Sequence, residues 1–347
     1  MGTDTKNSEA AVGEAAIGAA LERVLGTRFG SNSKVGQIRR LTGGARQEIW
    51  SFDLTESSGT VHPLILRRSP ATFERDNTSE IMSTEARVLK LAKAAGVPVP
   101  EVVHALRPDE GLGDGYVMVR VPGETLARRI LRDEEFAGAR KVLAHQIGGA
   151  AARIHTIDAD AASPLKFTDI AQGLAQARDL YERNAMRRPV VEWALAWLED
   201  HRPGEVETPC VVHGDLRNGN VIVGPEGLRA VLDWEVVHLG DPMEDLGWVC
   251  VTSWRFGSID MPVGGLGRRE DMFAGYEEAS GIAPDPDRVR YHEVLGTLRW
   301  GLSCAMMARE FQAGDRTVER AAIGRRASET EIDLLSILAP MTGMKHA

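Results

Sequence analysis

Around Arg120 to Glu124 (RVPGE) the sequence changes character. Before that point, apolar and β-branched stretches at Leu41 to Leu54, Val61 to Arg68, Val99 to Val103 and Tyr116 to Val121 read as short strands, with Ser57 to Gly59 (SSG) as a turn. A helix is predicted over Ser83 to Ala95, stopped by Gly96 and Pro98. After it, helical spacing dominates at Arg140 to His155, Val190 to His201 and Arg288 to Arg309, interrupted by one β-like block from Val211 to Val237. Pro122 and Gly123 end the last strand of the first part. Strands followed by helices is the α+β pattern, and 347 residues exceed the size at which one core stops growing. Two lobes are therefore expected: residues 31–121, strand-rich, and 122–347, mostly helical. Residues 1–30 are read as a tail with one helix from about Ala10 to Leu25.

Composition removes several classes of function. Cys210, Cys250 and Cys304 are far apart and form no CxxC pair, so neither a disulfide framework nor a zinc site is expected, and a reducing cytoplasm suits the chain. The first residues carry Asp4, Glu9 and Glu14 instead of a basic flank and an apolar stretch, which is not a secretory signal. No apolar run approaches bilayer length, so no membrane partner is expected. The net charge of -9 is unevenly placed: up to Pro122 there are 15 basic and 15 acidic residues, so the acidic excess lies beyond it. No basic face for nucleic acid is supplied. Nothing in the sequence sets an oligomeric state.

The chemistry is concentrated in CVVHGDLRNGNVIV (Cys210 to Val223) and AVLDWEVVHLGDPMEDLGWV (Ala230 to Val249). Asp215 is followed five positions later by Asn220, and Asp233 stands at the end of a further strand. Phosphoryl transfer needs a carboxylate to orient the attacking hydroxyl and take its proton, and oxygen ligands for the magnesium on the phosphates. Asp215, Asn220 and Asp233 can fill those places. HGDLRNGN resembles the catalytic loop of aminoglycoside phosphotransferases and choline kinases, and DWE stands where protein kinases have DFG. The resemblance runs from about Val35 to at least Trp300 and implies a two-lobed protein-kinase-like fold, with a small antiparallel β N-lobe and a larger, mostly helical C-lobe. It implies Asp215 as catalytic base, Asn220 and Asp233 as Mg2+ ligands, and ATP as phosphoryl donor. His213 is then a loop-shaping residue, Asp245 a brace for the loop, Asp241 a helix-start residue, and His155 a packing residue.

Upstream, the resemblance assigns Gly43 and Gly44 in LTGGARQEIW to the turn over the phosphates, where a simple hairpin is the competing reading. Arg67, ending LILR, stands in the place of the kinase Lys. Arg grips phosphate oxygens with two parallel hydrogen bonds where Lys acts as a point charge. Glu85, 18 residues on, matches the helix Glu expected to pair with it. Val119 belongs to the strand whose backbone would meet the base. No side chain there separates adenine from guanine, so ATP is the family expectation and GTP stays open.

The acceptor is expected to be a small hydroxylated molecule held by the C-terminal helices. Arg255 and Arg299, beside Trp254 and Trp300, suggest a seat for an amphipathic or anionic molecule, while the acidic excess would suit a polyamine such as an aminoglycoside. The stretch WRFGSIDMPVGGLGRREDMFAGYEEASG resembles the kinase-like domains joined to acyl-CoA dehydrogenases. A metabolic alcohol or hydroxyacid-type acceptor is therefore preferred. An antibiotic O-phosphotransferase and a nucleotide-binding pseudokinase scaffold are the alternatives.

Overall fold

The computed structural model describes residues 3–41, 47–69, 78–183 and 187–341. The chain divides into two compact units, Met1–Pro122 and Gly123–Ala347.

The first unit is α1 (Thr3–Phe29), β1 (Lys34–Leu41), β2 (Glu48–Thr55), β3 (Val61–Ser69), α2 (Thr78–Ala94), β4 (Val102–Ala105) and β5 (Asp114–Val119). The strands make one sheet in the order β1-β2-β3-β5-β4, every neighbouring pair antiparallel. Because side chains alternate across a strand, Trp50, Phe52 and Leu54 of β2 and Leu64 and Leu66 of β3 fall on one face. They bury there against Ile17, Leu21, Val24 and Leu25. That spacing is one stripe of a helix, so α1 is part of the core of this unit and extends beyond the expected Ala10 to Leu25. The hydrogen bond from the Val35 N–H to Glu22 (2.9 Å) ties the helix to β1. Alternation sends Ile65 and Arg67 to the other face of β3. The helix α2 packs near β3, β4 and β5 through Met82, Glu85, Ala86 and Leu89, all buried. It starts five residues earlier than the pattern predicts and closes at Gly96, whose φ of +79° suits glycine.

In the second unit come short α3 (Ala127–Arg132) and α4 (Ala137–Arg140), then α5 (Leu143–Ile154), α6 (Ile170–Arg183) and α7 (Pro189–Asp200). Next are β6 (Cys210–Val212), β7 (Val221–Gly224), β8 (Gly227–Val231) and β9 (His238–Gly240). The chain ends with α8 (Met243–Val249), α9 (Arg269–Ser280), α10 (Pro286–Gln312), α11 (Val318–Gly324) and α12 (Glu329–Met341). The predicted β-like block is thus two antiparallel ribbons, β6-β9 and β7-β8. Leu174, Leu195, Leu198, Leu295, Leu298 and Leu338 are among the residues that bring α6, α7, α10 and α12 into one core. Helices α5 and α9 approach until a side chain on Gly148 would strike the Met272 carbonyl, and one on Gly275 that of His145. Asp285 caps α10 by accepting from the N–H groups of Asp287 and Arg288. Among the described residues no helix is long and apolar enough to cross a membrane.

Candidate active site

The loop between β6 and β7 carries Asp215 and Asn220, and the ribbon β7-β8 brings Asp233 to the same end. Val221 pairs with Val231, and one step further the Leu232 N–H donates to the Asn220 carbonyl at 2.8 Å. Asp233 follows directly. Its φ is +66°, a left-handed conformation that Asp adopts more readily than most residues. Trp234, 1% exposed, anchors the next position, its indole N–H reaching the Val231 carbonyl at 3.3 Å.

The Asp215 carboxylate is held from three sides. Its Oδ1 accepts from Arg217 Nε at 2.9 Å and from Trp248 Nε1 at 2.8 Å. Its Oδ2 accepts from Asn220 Nδ2 at 2.6 Å, and the same amide nitrogen also reaches the Asp215 carbonyl at 3.0 Å. With the nitrogen used in this way, the oxygen is what the Asn220 amide has for a cation. The Arg217 guanidinium lies 4.6 Å from the centroid of the Trp254 ring, and Trp254 touches both Trp248 and Trp300, at 5.4 and 4.8 Å between centroids.

Buried polar groups fix the loop backbone. His213 Nδ1 accepts from the Asp215 N–H and Nε2 donates to the Leu232 carbonyl, each at 3.1 Å, which sets the neutral tautomer. Burial pushes its imidazole below the ordinary value, against the pull of nearby carboxylates. Asp245 accepts from the N–H groups of His213 and Gly214, each at 2.9 Å, and from His155 Nε2 at 3.2 Å. His155 Nδ1 lies 2.9 Å from the Tyr276 hydroxyl, so His155 is a polar link as well as a packed ring. Burial would raise the Asp245 carboxyl, but the hydrogen bond and charge of His155, with His213, hold it below the ordinary range. Gly214 has φ +79°, and a Cβ there would lie 2.9 Å from the Val236 carbonyl, so the loop requires glycine at this point. Asn218, fully buried, donates to the Gly264 carbonyl at 2.8 Å. Asp241 starts α8 by accepting from the Met243 N–H, and also meets His292.

In the first unit, Arg67 Nη1 pairs with Glu85 Oε1 at 2.9 Å, and Nε donates to Gln47 Oε1 at 2.8 Å. Arg67 is 8% exposed and Glu85 1%, so this is a desolvated, charge-assisted contact between β3 and α2. The Val119 N–H donates to the Glu101 carbonyl at 2.9 Å, so that group is not free to meet a base. Gly43 and Gly44 lie outside the described residues.

One expectation is overturned. Arg255 does not offer a cation to a substrate, and Arg299, still partly exposed, has an ion-pair partner within the fold. Arg255 is buried, with Nη2 on the Cys250 carbonyl (2.7 Å) and Glu293 (2.9 Å) and Nη1 on the Ile259 carbonyl (3.0 Å). Glu293 is fully buried and also takes Arg269 and Arg290; a carboxylate removed from water must be paired, which explains why Arg255 turns inward. Arg299 Nη1 pairs with Glu244 at 3.0 Å. Burial would raise the Glu244 carboxyl, yet the hydrogen bond and charge of His238, with Arg299, bring it to about 2.

Two residues at the site escaped the sequence reading: Arg217 and Trp248. The first lies inside the loop motif. The second could have been found from Asp245, because Asp245 and Trp248 are three apart on α8 and share one face.

An antiparallel β unit and a helical unit with this loop are the parts of a protein-kinase-like phosphotransferase. The chain belongs to the phosphotransferase enzyme family, whose model matches residues 37–290. It is 28% identical over 264 residues to acyl-CoA dehydrogenase family member 10 of Mus musculus, covering 68% of this chain and 24% of that protein. The chain thus spans about a quarter of that relative. A provisionally named aminoglycoside phosphotransferase from Ralstonia eutropha matches with a TM-score of 0.70 at 20% identity, over 92% of this chain and 97% of the other. The aminoglycoside phosphotransferase APH(4)-Ia, in a ternary complex with AMP-PNP and hygromycin B, matches with a TM-score of 0.56 at 17% identity, over 92% and 97%. At such identities these two likenesses carry the fold alone.

Proposed function

We propose that this protein moves the γ-phosphoryl group of ATP to a hydroxyl of a small metabolite, with Asp215 as the base. The observation that carries the reading is the Asp215 carboxylate, held by Asn220, Arg217 and Trp248 on a loop that Asp245 braces. The acceptor hydroxyl gives its proton to Asp215, its oxygen forms the new bond to the γ-phosphorus, and the bond to the β–γ bridging oxygen breaks, releasing ADP.

Residues 31–121 are assigned to the nucleotide, with Arg67, oriented by Glu85 and Gln47, on phosphate oxygens. Residues 122–347 are assigned to the base and the acceptor. Asn220 and Asp233 offer hard oxygen donors from adjacent ends of one β-ribbon, a set that suits Mg2+. The metal, when bound, neutralises charge on the phosphates. Two protein ligands are fewer than the six oxygens such an ion takes, which leaves places for phosphate and water. The complex of APH(4)-Ia with AMP-PNP supports an adenine nucleotide.

For the acceptor we take a metabolic alcohol or hydroxyacid, on the likeness to a protein named for acyl-CoA dehydrogenase chemistry, with an antibiotic as the alternative that phosphotransferases of like fold bring. With Arg255 committed elsewhere, the side chains on the base are Asn220, Arg217 and Trp248, and Trp254 lies against Arg217.

The test incubates wild type and Asp215→Ala with Mg-ATP and a cell metabolite extract, and seeks species that gain a phosphoryl group by mass spectrometry. Wild type alone should produce them. Stabilisation by ATP should grow on adding magnesium, and Asp233→Ala should lose that increment. Nucleotide binding indifferent to magnesium, with no product, would leave a pseudokinase scaffold. Phosphorylation of kanamycin-like compounds in preference to metabolites would replace the acceptor assignment.

A further inference from the structure

The three hydrogen bonds on Asp215 are unequally divided between its oxygens. Oδ1 carries two donors, the charged Arg217 Nε (2.9 Å) and the indole Trp248 Nε1 (2.8 Å). Oδ2 carries one, the Asn220 amide (2.6 Å). An ionised carboxylate has about four acceptor sites, two on each oxygen. Oδ1 is therefore filled, and Oδ2 keeps one site.

We propose that Trp248 is a positioning residue: together with Arg217 it fills Oδ1 and so fixes Oδ2 as the oxygen that takes the proton of the acceptor. The inference rests on the phosphotransferase reading above. A carboxylate swings about its last torsion with little preference, and in the wrong orientation it would present a saturated oxygen to the hydroxyl. Trp248 opposes that swing because its own ring is fixed. Trp254 lies against it with centroids 5.4 Å apart. Gly296 of α10 leaves room on another side, where a Cβ would stand 3.0 Å from Trp248 Cε3. Trp248 also shares α8 with Asp245, which holds the loop backbone. One helix thus sets both the main chain and the carboxylate of the loop.

Trp248→Phe removes the N–H and keeps an aromatic ring against Trp254. Turnover is read with Mg-ATP and water as acceptor, by ADP release. One lost hydrogen bond to a charged group corresponds to a fall in kcat of about 10- to 100-fold, with the KM for ATP and the melting temperature unchanged. In parallel, 15N-labelled protein gives one indole N–H signal for each of its seven tryptophans. Trp248→Phe identifies the signal of Trp248, and Asp215→Asn should move it. Turnover equal to wild type in Trp248→Phe, or an indole signal indifferent to Asp215→Asn, overturns the proposal. So does a loss of kcat that comes with a raised KM and a lowered melting temperature, which would assign the ring a packing role. Absence of ATP turnover in wild type both with water and with the metabolite extract, with the indole signal still moving, would remove the phosphotransferase reading and the positioning role built on it, and leave the hydrogen bond.

Discussion

Replacing Asp245 by alanine should do more damage than any single change on the loop it braces. The carboxylate accepts two main-chain N–H groups at 2.9 Å and His155 Nε2 at 3.2 Å while itself fully buried. Its removal orphans the His213 N–H in a buried place, weakens the hold on Gly214 and leaves His155 without its carboxylate. Each unsatisfied donor costs about 1–3 kcal/mol, toward the upper end where the lost acceptor was charged. With the His213 N–H orphaned and two further donors weakened, we expect a loss of about 3–5 kcal/mol, and, at about 2–4 °C per kcal/mol for a unit of this size, a melting temperature lower by about 6–20 °C. Asp245→Asn should lose less, because the amide keeps one acceptor and sets its NH2 against the other donor. Urea unfolding followed by tryptophan fluorescence is the assay, since six of the seven tryptophans lie beyond Pro122 and report on the unit concerned. The folded carboxyl titrates below its ordinary value, so its contribution is present above about pH 4 and is lost as pH falls through the folded value. The gap between wild type and Asp245→Asn should therefore shrink in acid. A cost under about 1 kcal/mol for Asp245→Ala would refute the bracing role, because it would mean that the two N–H groups find other partners.

Two further outcomes follow from buried arginines. Arg67→Ala should weaken ATP binding about 10- to 100-fold by calorimetry, the scale of one or two charge-assisted bonds, whereas Arg67→Lys keeps the charge and part of the affinity; affinity in Arg67→Ala equal to wild type would remove Arg67 from the nucleotide site. Arg255→Ala should cost about 1–3 kcal/mol of stability, less than a fully broken pair because Arg269 and Arg290 stay on Glu293, with the KM values for ATP and acceptor unchanged. A raised acceptor KM at unchanged stability would return Arg255 to the substrate.

Much of the site was legible because it is local in sequence. Asp215 and Asn220 share one loop, and Asp233 ends the ribbon that starts at Asn220, so a motif of a few residues carries their proximity. Arg67 and Glu85 were paired across 18 residues by the family resemblance, and their 2.9 Å contact joins β3 to α2. The reading missed the partners of Arg255 and Arg299. Adjacency to Trp254 and Trp300 looked like a binding seat, but the partners that decide where the guanidinium groups point, Glu293 and Glu244, are distant in the chain.

The sequence alone carried the α+β pattern of strands followed by helices and a loop motif whose residues lie together, because periodicity and short motifs act over a few residues. Tertiary structure decided the rest. It put the first helix into the sheet core through Ile17, Leu21 and Leu25, spent Arg255 on Glu293, and delivered the Trp248 indole to Asp215 across 33 residues of chain. Burial makes each of these choices: a charge or an N–H removed from water must find its partner wherever the fold supplies one, and sequence separation does not enter that requirement.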